Sequence, residues 1–270
     1  MNAHPDDEAI LTGGTLAALS MSGHRVVLVT LTRGEANEPG DRGTRRMAEL
    51  EASARALGAA AVIDLGYADS GIGPQTLPPV DGRERLHTVP VHLAATRLAE
   101  VLSEQRAGLV LGYDAAGGYG HRDHVSVHHI TRAAVAQAGG PRLLEATIPR
   151  EPVLGVVRAG YGLRFLPGLR RRFAPGFSPH QWARSFTPSA QITHRVDVRP
   201  FVTAKLAALR AHASQSRTTD SGISTMTTVL ALPPTVCRIV LSHEFFVEPS
   251  RTRPAPSRRA ALHDVMAGLG

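Results

Sequence analysis

The sequence predicts an α/β fold built on a mostly parallel sheet with helices on both faces. Three observations carry that expectation. Short, apolar, β-branched runs alternate with amphipathic stretches along residues 24–149, the order that strand–helix–strand crossovers require. The amphipathic stretches carry end signals, such as Gly58 after a leucine-ended run. The chain has 270 residues, 43% of them hydrophobic, enough for one large domain with a well-buried core.

Taken in order, HRVVLVTLT (24–32) reads as a buried strand, and TRRMAELEASARALG (44–58) as an amphipathic helix closed by glycine. AAVIDLG (60–66) is the next strand. VPVHLAATRLAEVLSEQ (89–105) is a helix, with Pro90 tolerated in its first turn. AGLVLGYD (107–114) is a strand, HRDHVSVHHITRAAVAQAG (121–139) a helix and RLLEATIP (142–149) a strand. After residue 150 the pattern loosens, and 155–190, rich in Gly, Pro, Arg and aromatics, reads as an irregular flap. FVTAKLAALRAHASQ (201–215) is a helix, and VCRIVLSHEFFVE (236–248) ends in a strand. The expected organisation is one domain over 1–248 followed by a flexible tail over 249–270. The first strand is the anomaly. Only Met1, Asn2 and Ala3 precede His4, whereas a strand needs about five residues. Either the recorded start lies downstream of the true one, or the sheet lacks a central strand and leaves its neighbours' backbone groups unpaired. The first reading, a truncated strand, is the working expectation.

Composition narrows the classes. Cys237 is the only cysteine, which excludes an internal disulfide and a CxxC zinc site. No apolar run approaches the roughly 20 residues of a membrane span, and no basic stretch followed by an apolar one opens the chain. A cytoplasmic protein without stable membrane insertion is expected. The net charge is +7 and Lys205 is the only lysine, so almost all of the positive charge is arginine. The arginines are scattered and only 4% of residues are aromatic, which argues against a nucleic-acid partner.

Two stretches are dense in chemistry. NAHPDDEA (2–9) crowds three carboxylates beside His4, and YDAAGGYGHRDHVSVHH (113–129) carries four histidines. Each alone has a plain reading, as acidic residues at the start of a helix. Both, however, follow predicted strands, and in a parallel sheet sites form beyond the carboxyl ends of the strands. Two histidines and a carboxylate make a catalytic zinc set with one position left for water. The remaining carboxylates and histidine are then available as base, acid and supporting groups. His128, His129, His212 and His243 read as structural imidazoles, and Glu8 as a supporting or helix-start residue. GGT (13–15) lacks the spacing of a phosphate cradle. Arg170, Arg171 and Arg172 read as a solvated loop.

AHPDDE with the later GGYGHRDH resembles the PIG-L/LmbE-like zinc-dependent de-N-acetylases. TRGEAN (32–37), the RxxEL of Arg46 to Leu50, LGYADSG (65–71) and AKLAALRAHASQ (204–215) extend the resemblance along most of the chain. It implies a Rossmann-like sheet of the LmbE type and a hydrolase that removes the N-acetyl group from an N-acetylglucosamine-containing small molecule. It further implies zinc as cofactor, with Fe2+ as an alternative in cells. His4, Asp7 and His124 match the metal ligands. Asp6 matches the general base for the metal-activated water. His121 matches the general acid or stabiliser of the tetrahedral intermediate, and Tyr119 a residue that polarises the carbonyl. Asp123 would orient a neighbouring histidine. Arg46 and Asp69 match positions that grip sugar hydroxyls. The spelling leans towards the actinobacterial branch with the mycothiol-pathway deacetylases, which act on an N-acetylglucosaminyl-inositol. An amidase for thiol conjugates of the mycothiol type and a non-catalytic sugar-binding relative stay open, as does a homo-oligomer. The family often spells DANGG and has proline after the first histidine of the second motif. Here Ala116 and Arg122 stand instead, and neither is a presumed ligand.

Overall fold

The structure, a computed structural model, describes residues 1–36, 41–73, 75–163, 179–215, 225–251 and 265. Strand β1 (Val27–Thr32) pairs in parallel with β2 (Ala61–Tyr67), and β3 (Leu109–Tyr113) pairs in parallel with β4 (Arg142–Thr147). Strand β6 (His243–Val247) runs antiparallel between β4 and the edge strand β5 (His194–Asp197). The mostly parallel α/β architecture expected from the pattern is therefore present.

Helices cover both faces. Strand side chains alternate between the faces, so Val29 and Leu31 join one core while Leu28 joins the other. The first core is closed by α3 (Val91–Glu104) and α4 (Arg122–Gln137), through Ala94, Leu98, Leu102, Val127 and Ile130. The second is closed by α1 (Gly13–Met21) and α2 (Arg42–Leu57), joined by α7 (Val202–Ala211) from late in the chain. Burial of each large aliphatic side chain in these cores contributes roughly 2 kcal/mol. Helix α1 is anchored by an ion pair rather than by apolar contact alone. The Glu244 carboxylate accepts the Gly14 and Thr15 N–H groups, both at 2.8 Å, and the Lys205 ammonium at 2.5 Å. The sole lysine is thus buried, tying α7 and β6 to the start of α1.

Several elements differ from the sequence reading. Helix α1 is buried on nearly every side and so carries no amphipathic period to betray it. Strand β5 has four residues and lies on an edge, too short to stand out. Residues 155–163, read as part of an irregular flap, belong to helix α5 (Arg150–Leu163), and Pro179–Trp182 forms the short α6. Thr225–Leu230 (α8) and Pro234–Val240 (α9) are the remaining α-helices among the described residues. Arg170, Arg171 and Arg172 lie outside the described residues. Within the stretch read as a flexible tail, Val265 is buried against the Leu144 and Phe246 cluster. Among the described residues no helix is long and apolar enough to cross a membrane.

The place of the first strand is held by three residues. Asn2 makes a single parallel bridge to Thr30, its N–H donating to the Val29 carbonyl at 2.8 Å. On the other side the Met1 ammonium donates to the Leu111 carbonyl at 2.7 Å. Beside them a cavity of about 360 Å³ runs between β1 and β3, lined by Val27, Leu28, Leu109 and Val110, with Leu16 and Val101 on opposite faces. Both faces are apolar, so an added strand of about five β-branched residues ahead of Met1 would find partners on both edges. Such an extension is expected to raise the thermal midpoint by several degrees in calorimetry. An unchanged midpoint would mean that the slot does not accept a strand.

Candidate functional site

The parallel strands deliver their carboxyl ends to one edge. His4 follows Ala3, whose carbonyl accepts the Thr32 N–H at 3.0 Å and the Thr32 hydroxyl at 2.8 Å. Asp69 and Ser70 follow β2. Tyr119 and His121 follow β3 through a tight turn. In that turn Gly117 has φ +61°, and a Cβ there would lie 2.7 Å from the Val125 nitrogen, so the turn requires glycine. The buried Asp114 carboxylate fastens the turn by accepting the Gly118 N–H at 2.9 Å and the hydroxyls of Thr147 and Thr187 at 2.5 and 3.0 Å.

The N-terminal residues and the turn after β3 meet at Asp7. Its Oδ2 lies 3.5 Å from His4 Nδ1, and its Oδ1 lies 3.5 Å from His124 Nε2. Two ligand atoms each about 2.1 Å from one tetrahedral zinc lie roughly 3.4 Å apart, and each of these separations is of that size, through a different Asp7 oxygen. Among the described residues the groups whose ligand atoms all lie within 4.8 Å of one another are His4, His121 and His124, and His4, Asp69 and Asp123. His124 Nε2 is buried and has no hydrogen-bond partner, which is unusual for a buried polar atom unless something else satisfies it. The donor set, two imidazoles and a carboxylate, suits zinc or iron. His121 also reaches the cluster, with one nitrogen each from His4, His121 and His124 within 4.8 Å of one another. On its far side His4 Nε2 faces Asp123 Oδ2 at 3.3 Å and Asp69 Oδ1 at 3.4 Å. A carboxylate behind a histidine in this manner fixes the ring and its proton.

Electrostatics follow from this crowding. Burial opposes charge on His4, yet Asp69, Asp123 and Asp7 outweigh it and hold its pKa well above the ordinary value. Burial opposes ionisation of Asp7 as well, but His124, His4 and a hydrogen bond from Tyr113 hold its carboxyl well below the usual range. Burial pushes Asp6 up to about 6 although Arg46 pulls it down. Burial, with the nearby His4 and His124, pushes His121 down to about 4. His121 caps α4, and its Nδ1 accepts the Asp123 N–H at 3.2 Å. An accepting Nδ1 leaves the neutral ring's proton on Nε2. Tyr119, about half exposed, sets its ring 5.3 Å from that of His124, and burial of its hydroxyl raises its pKa, so it stays a donor.

Asp6 stands in a turn of unusual backbone. Its φ is +125°, a region that favours glycine, and its N–H donates to Glu8 Oε2 at 3.0 Å. Glu8 opens a π-helical turn over Glu8–Thr12 that runs into α1. Arg46 braces the turn from α2. It donates to the carbonyls of Gly34 and Pro5, both at 2.6 Å, and to Asp6 Oδ2 at 3.2 Å.

The structure thus brings His4, Asp6, Asp7, Tyr119, His121, Asp123 and His124 together. Of the two residues expected to grip sugar hydroxyls, Asp69 stands within the cluster, 3.4 Å from His4, and Arg46 stands against it, donating to Asp6. Arg46 is 5% exposed beneath the Pro5–Asp6 turn, and Asp69 is 4% exposed against His4, its Oδ1 accepting the Gly71 N–H at 2.8 Å. Sequence reasoning missed Tyr113, whose ring stacks on His124 at 4.4 Å and whose hydroxyl accepts the Ala3 N–H at 2.9 Å. It also missed Ser70, whose N–H donates to Asp123 Oδ2 at 2.9 Å. Tyr113 ends its strand next to a motif aspartate, and that position was the available signal.

Comparison with known proteins agrees with these motifs. The family model described as PIG-L, GlcNAc-PI de-N-acetylase, matches residues 1–135. The chain is similar to 1D-myo-inositol 2-acetamido-2-deoxy-alpha-D-glucopyranoside deacetylase of Nocardiopsis dassonvillei, 35% identical over 80% of this chain and 83% of the relative. It is also similar to the protein of that name from Rhodococcus erythropolis, 32% identical over 100% of this chain and 96% of the relative. Among solved structures, the conserved protein TT1542 from Thermus thermophilus shares the fold, with a TM-score of 0.56 and 23% identity over 96% of this chain and 97% of that one. Motifs, fold and relatives agree, and the chain belongs to the PIG-L de-N-acetylase family.

Proposed function

We propose that this protein is a zinc-dependent hydrolase of the cytoplasm that removes the acetyl group from an N-acetylglucosaminyl-inositol. The observation that carries the reading is the Asp7 carboxylate set 3.5 Å from both His4 and His124, with His124 Nε2 otherwise unpartnered. The relatives' names support the substrate class, since they are deacetylases of an acetamido-glucopyranoside of inositol.

His4, Asp7 and His124 would hold the ion. When bound, it supplies Lewis acidity that acidifies the attacking water and draws electrons from the amide carbonyl. Asp6, braced by Arg46 and Glu8, accepts the proton of that water as its oxygen adds to the carbonyl carbon. His121, with its proton on Nε2, and the Tyr119 hydroxyl donate to the carbonyl oxygen as it becomes negative. Each such donor contributes about 3 kcal/mol to the transition state. The proton held by Asp6 then passes to the amide nitrogen, the C–N bond breaks, and acetate and a free amine leave. Asp123 and Asp69 keep His4 in place throughout.

Removal of metal with a chelator is expected to reduce acetate release from N-acetylglucosaminyl-inositol to background, and added Zn2+ to restore it. Full activity in the chelated protein would contradict a metal-dependent step. Asp6→Asn keeps the size and shape of the side chain while removing its capacity to take a proton. It is expected to bind one equivalent of zinc by elemental analysis while turnover falls at least ~100-fold. Unchanged turnover would remove Asp6 from the role of base.

A further inference from the structure

The turn that carries Asp6 is tied to two helices through one buried carboxylate. Glu8 is 0% exposed and accepts three hydrogen bonds. Oε2 takes the Asp6 N–H at 3.0 Å, while Oε1 takes the Ser53 hydroxyl of α2 at 2.5 Å and His212 Nε2, at the end of α7, at 2.6 Å. Without such donors a carboxylate at this depth would carry a heavy desolvation penalty. The strained φ of +125° at Asp6 persists only where its surroundings over-determine it. Its N–H is fixed by Glu8, and the preceding Pro5 carbonyl by Arg46. The aim of the Asp6 carboxylate therefore depends on where Glu8 stands, and Glu8 stands where Ser53 and His212 hold it. His212 is fully buried, and its other ring nitrogen has no hydrogen-bond partner, so its polar contact is spent on Glu8.

We infer that His212 is a positioning residue for hydrolysis, holding the general base Asp6 in its strained orientation through Glu8. The inference rests on the reading of Asp6 as base. It assigns the late helix α7 a part in the chemistry, although His212 contributes nothing to the ion's ligands. A purely structural imidazole at this place would lower stability without changing the turnover of folded molecules.

The test compares the zinc-loaded full chain with His212→Ala and His212→Gln. Glutamine restores an N–H donor near the position of Nε2. Initial rates of acetate release, zinc content and thermal midpoint are measured together. His212→Ala is expected to keep one equivalent of zinc and a KM within about twofold, while kcat falls ~10–100-fold, the cost of a small misplacement of a catalytic group. His212→Gln is expected to recover most of that loss. A folded His212→Ala with wild-type kcat would overturn the inference, even with a lowered midpoint, and so would a kcat loss that glutamine leaves unrepaired. If His212→Ala does not fold, Ser53→Ala removes the other donor to the same oxygen. It is expected to lower kcat with KM unchanged, and an unchanged kcat overturns the proposal. A wild-type protein that releases no acetate would instead overturn the deacetylase reading on which this one stands.

Discussion

The structure depends on one electrostatic constraint, the gathering of four carboxylates and three imidazoles at the carboxyl ends of parallel strands. Asp69 and Asp123 press on His4 from one side and Asp7 from the other, while Asp6 stands one residue away. In a poorly solvated pocket such charges repel strongly unless a cation stands among them. Arg46 supplies fixed positive charge beside Asp6, and His4 is drawn towards the imidazolium form by its acidic neighbours. On the proposed function, a divalent ion placed between His4 Nδ1, Asp7 and His124 Nε2 would relieve the rest.

The fold serves that gathering. Strand ends bring the groups to one edge, Gly117 lets the second turn close over them, and Asp114 locks that turn to β4 through Thr147. The first turn is held by backbone strain at Asp6, with Arg46 and Glu8 on either side. Helices α1, α2 and α7 share a core beneath it, and the Lys205–Glu244 pair pins α1 from within. The likeness to solved structures shows the fold alone. The chemistry is carried by the side chains that stand on it.

Much of this was legible in the sequence, and the limits have physical causes. Strands β1 to β4 and helices α2, α3, α4 and α7 announced themselves by period and end signals. Helix α1 did not, because burial on all sides erases the period, and β5 is too short to show one. The meeting of His4, Asp7 and His124 followed from strand order, since two motifs after parallel strands must share an edge. The task of Arg46 did not follow. Its motif placed it near the site, but only the fold shows the guanidinium bound to backbone carbonyls and Asp6. The link from His212 to Glu8 spans 204 positions and has no local signature, so a histidine near an apolar segment read as a plain core imidazole.

The most direct test of a single ion held by His4, Asp7 and His124 is X-ray absorption at the zinc edge of the metal-loaded protein. The predicted coordination shell contains two imidazoles and oxygen donors, and it is unchanged in His121→Ala. A shell of three imidazoles that loses one in that variant would contradict this ligand set.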